Sequence, residues 1–191
     1  MFQDIDCGPY CESIETVTKG YRGADLSHVG MVIKNDAGEL RVIEANTTGV
    51  QVVSIDTFLN RSSDGAGNPK VIVGRLNKTY RPLIAQAKIY AESLLGSDYD
   101  YIYDITDDTY YCSELIYESF KSANGGDPIF ELYPMTFVDP STAELFPIWV
   151  EYFESLGYPI PQGELGLNPG GMSESSKLKI VHQYGVPSGM R

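Results

Sequence analysis

Cysteine and histidine are scarce in this sequence, and their scarcity limits the chemistry that the chain can carry. Three cysteines and two histidines occur among 191 residues. Cys7 and Cys11 do not have the CxxC spacing of redox pairs, and an odd cysteine count argues against a disulfide framework. No second cysteine or histidine pair is available to complete a zinc site. We therefore expect Cys7 and Cys11 to be structural thiols, although their pairing is left open. We predict no metal and no cofactor.

Positive charge and long apolar runs are scarce as well. Lysine and arginine number 14 against 26 aspartate and glutamate residues, which gives a formal net charge of −12. Nucleic-acid partners require a basic face, so we expect none. No apolar run approaches the roughly 20 residues of a transmembrane helix. The first residues lack the basic and apolar regions of a signal peptide, so none is predicted. Length and composition fit one domain and leave the oligomeric state open.

The pattern of apolar residues predicts short strands and amphipathic helices. The stretch "SHVGMVIKNDAGELRVIEA" is typical of a β-hairpin, because two β-rich runs flank the turn residues 35–38. Further strands are predicted for "GVQVVSI" and "PKVIVGRL". Helical spacing and helix-start signals predict helices over "CGPYCESIETVT", "RPLIAQAKIYAESLLG" and "CSELIYESFKSA". The expected fold class is α+β, an antiparallel sheet with helices packed on it.

The chain is expected to form a single domain over residues 1–191. Residues 125–191 are irregular and aromatic, with one helix near "STAELFPIWVEYFESLG", and we interpret them as a C-terminal elaboration. Within this part, the glycine-rich residues 163–176 cannot form a regular helix or strand, yet they carry Leu165, Leu167 and Met172. They form either a loop over a substrate cleft or a surface loop pinned by these apolar side chains.

His28 and Glu44 stand at opposite ends of the predicted hairpin. If the pairing is centred on Asp36, position 28 lies directly opposite position 44. Opposed residues share a face of the sheet, with Cβ atoms about 5 Å apart, so Glu44 could orient the imidazole. A slip of one residue would place the two side chains on opposite faces. The alternative is a strand-end histidine near an unrelated surface acid.

Cys112 begins the helix "CSELIYESFKSA". The helix dipole and the free amide donors of a first turn both favour thiolate over thiol. The alternative is a small buried hydrophobe, which most free cysteines are. A thiolate, an imidazole and a carboxylate together make the nucleophile, base and orienter of acyl-transfer enzymes. The amide of Cys112 would then face the developing oxyanion.

Four motifs resemble one family, the permuted papain-like amidases of the YiiX/YaeF type in the NlpC superfamily. They are "FQ" at the start, "SHVGMVI", "VIEA" and "YDYIYDITDDTYYCSELIY", and they cover most of residues 2–122 in the family's order. The resemblance implies a circularly permuted papain-like fold, with an antiparallel sheet or small barrel packed with helices. It also implies Cys112 as nucleophile, His28 as base and Glu44 as orienter.

The resemblance implies less about other residues. Gln3 matches a glutamine on the first strand of relatives, where its amide could support the oxyanion hole, or it is an exposed strand-end residue. Tyr111 could line the pocket or belong to the core. His182, which has no nearby carboxylate in the sequence, is interpreted as structural. A periplasmic or cell-envelope location is favoured by the resemblance alone.

Three functions compete. The first is a cysteine amidase or peptidase that forms a thioester acyl-enzyme and cleaves a cell-wall peptide or a lipid-like acyl amide. The second is a non-catalytic module on the same fold that binds a lipid or peptide, although this predicts a missing triad member. The third is a metal site formed by Cys112, His28 and Glu44, which would normally need further ligands at short spacing.

Overall fold

The computed structural model describes every residue from Met1 to Arg191. Its α-helices are α1 Pro9–Val17, α2 Ile55–Leu59, α3 Ile84–Ser93, α4 Cys112–Ala123, α5 Pro147–Leu156 and α6 Pro169–Ser173. Its strands are β1 Phe2–Gln3, β2 His28–Val29, β3 Met31–Lys34, β4 Leu40–Asn46, β5 Gly49–Ser54, β6 Val71–Leu76, β7 Tyr133–Pro134, β8 Val138–Asp139, β9 Glu144–Leu145, β10 Leu165–Gly166 and β11 Leu178–Gln183.

The strands pair antiparallel throughout and form two principal sheets. One sheet has the order β11-β6-β1-β2, and the other has the order β3-β4-β5. Two short pairs, β7 with β10 and β8 with β9, lie in the C-terminal part. The α+β prediction is confirmed. The small barrel is not observed, because the sheets do not close.

The chain passes from one sheet to the other at Gly30. β2 pairs with β1, and β3 pairs with β4, so His28 belongs to a different sheet from Glu44. A Cβ atom at position 30 would lie 2.5 Å from Cγ1 of Val42, so only glycine fits this crossing.

The predicted hairpin register is wrong by two residues. Val32 lies opposite Val42 and Lys34 opposite Leu40, so the connecting loop has five residues rather than three. A shift of two residues preserves the face on which each side chain lies, whereas a shift of one would reverse it.

Helix α4 is the central element of the core. Its apolar stripe of Leu115, Ile116 and Phe120 is buried, and the helix contacts α3, β2 and β4. An apolar face every three to four residues is what the sequence pattern predicts for a helix packed on a sheet. This packing fixes the position of the first turn, where Cys112 lies.

The C-terminal part is more regular than the sequence suggests. β11 pairs with β6 and forms an edge of the larger sheet. It is only partly buried, which explains why its apolar pattern does not stand out. Residues 163–176 contain β10 and the short helix α6, so the expectation of a wholly irregular stretch is wrong.

Cys7 and Cys11 form a disulfide, with Cα atoms 5.3 Å apart. The expectation of two structural thiols is therefore wrong. Cys7 precedes α1 and Cys11 lies in its first turn, and the helix start brings them to ordinary disulfide distance.

No helix combines the length and apolar character needed to cross a membrane.

Candidate active site

Cys112 is the first residue of α4 and the only free cysteine. The preceding Tyr111 is extended, with φ −89° and ψ 170°, so the helix starts sharply. The amide N–H groups of a first helical turn have no intrahelical acceptor, and they are available to an anion. Cys112 is 7% exposed, so its side chain is enclosed except where it borders a cavity.

His28 and Glu44 are in contact although they lie in different sheets. Nε2 of His28 is 2.9 Å from Oε2 of Glu44, and both side chains are buried. The ring of His28 lies against Phe58, with ring centroids 5.6 Å apart. Because Nε2 is bound to Glu44, Nδ1 is the nitrogen free to exchange a proton with Cys112.

Glu44 is held by donors on every side. Arg61 donates Nη1–H to Oε2 at 2.6 Å and a second N–H from Nη2 to Oε1. Gln51 and Asn46 also donate to Oε1, at 3.2 and 3.4 Å. Burial on its own raises the pKa of Glu44, but the hydrogen bonds from Arg61 and His28 outweigh it and lower the pKa to about 2. Glu44 is therefore ionised at neutral pH.

The same contacts favour the charged form of His28. Burial on its own lowers its pKa, but hydrogen bonds and charge interactions with Cys112 and Glu44 outweigh burial and raise the pKa to about 9. An imidazolium beside a cysteine stabilises the thiolate. The arrangement thus brings a thiol, an imidazole and an ionised carboxylate together in one place.

A cavity of about 500 Å³ opens beside these groups, and both Cys112 and His28 line it. Its walls are mainly apolar and aromatic. They include Tyr10, Ile14 and Val17 of α1, Met135 and Phe137 of the C-terminal part, and Trp149 of α5. Such a site can accept an apolar chain next to a polar reacting group.

Sequence comparison identifies the family. A family profile described as permuted papain-like amidase enzyme, YaeF/YiiX, C92 family, matches residues 10–182. The chain belongs to this permuted papain-like amidase family. The family implied by the four sequence motifs is therefore confirmed. A search of curated protein sequences finds no match.

A solved structure supports the fold. The crystal structure of the metalloprotein yiiX from Escherichia coli O157:H7 matches with a TM-score of 0.74 and 21% identity, covering 96% of this chain and 94% of that chain. A likeness at this identity shows the fold, and it confirms the permuted papain-like architecture.

In this permuted papain-like amidase, Tyr111 lies at the cavity, whereas Gln3 does not. Tyr111 lines the cavity, and its hydroxyl accepts the Leu167 amide N–H at 3.3 Å. Gln3 is fully buried opposite His28, but its side-chain nitrogen donates to the Phe58 carbonyl at 2.8 Å. Gln3 does not line the cavity. The alternative of an exposed strand-end residue is wrong, because Gln3 is fully buried, whereas support of the oxyanion hole by its amide stays a prediction.

Two further residues lie near Cys112, and no sequence pattern marks either of them as part of a site. Tyr99 lines the cavity, and burial and then the charge of Cys112 raise the pKa of its phenol well above the usual value, so it stays a neutral donor. Glu114 is fully buried in the first turn of α4, where Oε2 accepts the Tyr111 amide N–H at 3.1 Å. Burial raises the pKa of Glu114 to about 9, so it is a neutral acid.

Part of the 163–176 segment lies at the cavity. Leu167 lines it together with Asn168 and Pro169, and the Leu167 carbonyl accepts a hydrogen bond from Ser113 at 2.9 Å. Met172 is buried, whereas Leu165 is half exposed. The segment therefore lies beside the first turn of α4 rather than on the face opposite His28 and Cys112.

The donor set does not fit a resident metal ion. No group of three or more histidine, cysteine, aspartate or glutamate side chains is arranged to hold one. Both oxygens of Glu44 already accept hydrogen bonds, including two from the cationic Arg61. His182 is exposed on β11 and lies against Tyr184, so it adds no ligand.

Proposed function

We propose that this protein is a cysteine amidase that cleaves an amide bond through a thioester on Cys112. One observation carries the proposal: Cys112 begins a buried helix and shares a cavity with His28, whose Nε2 is bound to Glu44 at 2.9 Å. Enzymes of acyl transfer use this arrangement, in which the nucleophile contacts a base and the base contacts a group that orients it.

The first half-reaction forms the acyl-enzyme. The Cys112 thiolate attacks the carbonyl carbon, and the carbonyl oxygen becomes an oxyanion that faces the free amide N–H groups of α4. The imidazolium of His28 donates its proton to the amide nitrogen. The C–N bond then breaks, and the neutral amine leaves with a thioester behind it.

The second half-reaction releases the acid. His28, now neutral, accepts a proton from a water molecule, and the hydroxide attacks the thioester carbon. The C–S bond breaks and restores the thiolate, while the imidazolium is regenerated. Glu44 remains ionised in both steps and stabilises the charged imidazole.

The size and lining of the cavity favour an acyl amide over a cell-wall peptide as the substrate. Its volume of about 500 Å³ and its predominantly apolar walls suit a flexible alkyl chain. A peptide would leave several backbone polar groups against apolar walls, and each unpaired group costs about 1–3 kcal/mol.

The test uses N-octanoyl-p-nitroanilide as the probe. The wild type should release nitroaniline and carry an octanoyl adduct on Cys112 that intact-mass analysis and peptide mapping detect. Cys112→Ala should do neither while it keeps the native circular dichroism spectrum. Ser155→Ala serves as the matched control, because Ser155 is exposed near the end of α5 and bonds only the Tyr152 carbonyl. Hydrolysis that persists in Cys112→Ala contradicts the proposal. Binding of the probe without any turnover by the wild type would favour a binding module.

A further inference from the structure

The lining of the cavity differs in charge from the acidic surface of the protein. The sequence has 26 acidic residues, yet no aspartate or glutamate lines the cavity. Its two charged or chargeable nitrogen bases are His28 and Arg61. A site that excludes carboxylates and presents a guanidinium favours a substrate that carries negative charge.

Arg61 has hydrogen-bond donors that Glu44 does not use. Its contacts with Glu44 use two N–H groups, and a guanidinium has five. The side chain is 23% exposed, so part of it faces the cavity rather than the core. Its guanidinium lies over the ring of Phe58, 5.4 Å from the centroid, which holds the planar group in place.

Arg61 lies where the amine half of a substrate would lie. His28 and Arg61 both donate to the same oxygen of Glu44, so they are neighbours. His28 must give its proton to the leaving nitrogen, which places that nitrogen and its substituents near Arg61. Two polar residues, Asn46 and Thr47, also line the cavity, and they belong to the β4–β5 hairpin that carries Glu44. The apolar walls from α1 and α5 remain for the acyl half.

We propose that Arg61 binds a carboxylate on the amine half of the substrate, so that the substrate class is N-acyl amino acids. The inference rests on the proposed function for the cleavage itself. Attack on such an amide gives a fatty acid and a free amino acid. The acyl chain fills the apolar part of the cavity, and the carboxylate pairs with the free edge of the guanidinium.

The test compares two probes of the same size, N-octanoylglycine and the neutral N-octanoylglycinamide. The wild type should have at least a 10-fold higher kcat/KM for the acid, since a hydrogen bond to a charged group contributes about 1.5–3 kcal/mol. Arg61→Gln also disturbs Glu44 and slows both reactions, but a supporting role alone would slow them equally. A fall of the acid-to-amide ratio to about 1 therefore isolates recognition of the carboxylate.

A control variant and a binding measurement complete the experiment. Arg41→Gln removes an arginine on β4 that pairs with the exposed Glu39, and it should leave the ratio unchanged. Calorimetry on Cys112→Ala measures the affinity for both probes without turnover. This variant should bind N-octanoylglycine at least 10-fold more tightly than N-octanoylglycinamide.

The outcomes separate the two proposals. If the wild type hydrolyses both probes equally and Cys112→Ala binds both equally, the carboxylate site is wrong while the amidase stands. If neither probe is hydrolysed but Cys112→Ala still prefers the acid, the carboxylate site stands and the amidase fails. An unchanged ratio in Arg61→Gln overturns the assignment to Arg61.

Discussion

Replacing Glu44 with glutamine removes one charge from the centre of the site with almost no change in shape. Every neighbour that contacts the carboxylate is a donor, namely His28, Arg61, Gln51 and Asn46. One carboxylate oxygen becomes an NH₂ group in the variant, so a donor must face a donor. The imidazolium loses its counter-charge, and the guanidinium of Arg61 loses its partner.

The magnitude follows from the pKa of His28. Its folded value is about 9 against an ordinary 6.5, and burial alone would lower it. Each pKa unit is worth about 1.4 kcal/mol, so the site favours the imidazolium by about 3 kcal/mol. Cys112 and Glu44 share this effect. Removing the Glu44 charge should lower the pKa of His28 to about 6–8, because one close opposite charge shifts a pKa by about 1–3 units.

Nuclear magnetic resonance can measure this directly, because the chain has only two histidines. The imidazole Cε1–H signals of His28 and His182 are followed with pH, and His182→Asn assigns them. A wild-type midpoint for His28 at or below 6.5 would refute the reasoning. A high midpoint that Glu44→Gln leaves unchanged would assign the whole effect to Cys112.

The raised pKa has a consequence for stability. Since the folded value of His28 lies above the unfolded one, its contribution is complete below about pH 6.5 and is lost as the pH rises through about 9. The destabilisation caused by Glu44→Gln, measured by urea unfolding, should therefore be larger at pH 6 than at pH 9.5. A difference that is constant with pH would contradict the linkage.

Three further predictions concern neighbouring groups. Iodoacetamide should add one group to the unreduced native protein, on Cys112, because the other two cysteines form a disulfide; labelling of Cys7 before reduction would contradict this. Glu114→Gln should flatten the loss of unfolding free energy from about pH 4.5 to about 9, because over that range the carboxyl ionises in the unfolded chain but stays protonated in the folded protein; an unchanged pH slope counts against it. Tyr99→Phe should lower kcat about 10-fold or more with little change in KM if its phenol supports the oxyanion, whereas Tyr152→Phe, whose hydroxyl bonds the Tyr101 carbonyl, should not.

The sequence predicts the parts of the site that depend on local pattern. The start of α4 at Cys112 follows from its apolar spacing and from the polar loop before it. The hairpin pattern predicts the contact between His28 and Glu44 correctly, but the pairing that it assumes is wrong. They are not cross-strand partners in one hairpin; the chain changes sheets at Gly30, and the contact crosses between the sheets.

Other parts depend on contacts that no local pattern records. Arg61 lies 17 positions from Glu44 and follows a short helix, so nothing in its neighbourhood marks it as part of the site. β11 is a half-exposed edge strand, whose side chains need not alternate strictly between polar and apolar. The odd number of cysteines conceals the disulfide, because two of the three pair and Cys112 stays free. Disulfides persist in oxidising compartments, and we propose that this one supports the cell-envelope location that the resemblance implies.

In the proposed mechanism, one arginine both holds Glu44 in place and binds the carboxylate of the substrate. A carboxylate that accepts hydrogen bonds from several directions cannot rotate, so the imidazole it holds keeps one orientation through both half-reactions. Arg61 supplies two of those bonds with one edge of its guanidinium and keeps the other donors free. Its charge offsets that of Glu44, which leaves the positive charge of His28 available to Cys112. A carboxylate on the substrate then meets a guanidinium that is already fixed in place, so little conformational entropy is lost on binding.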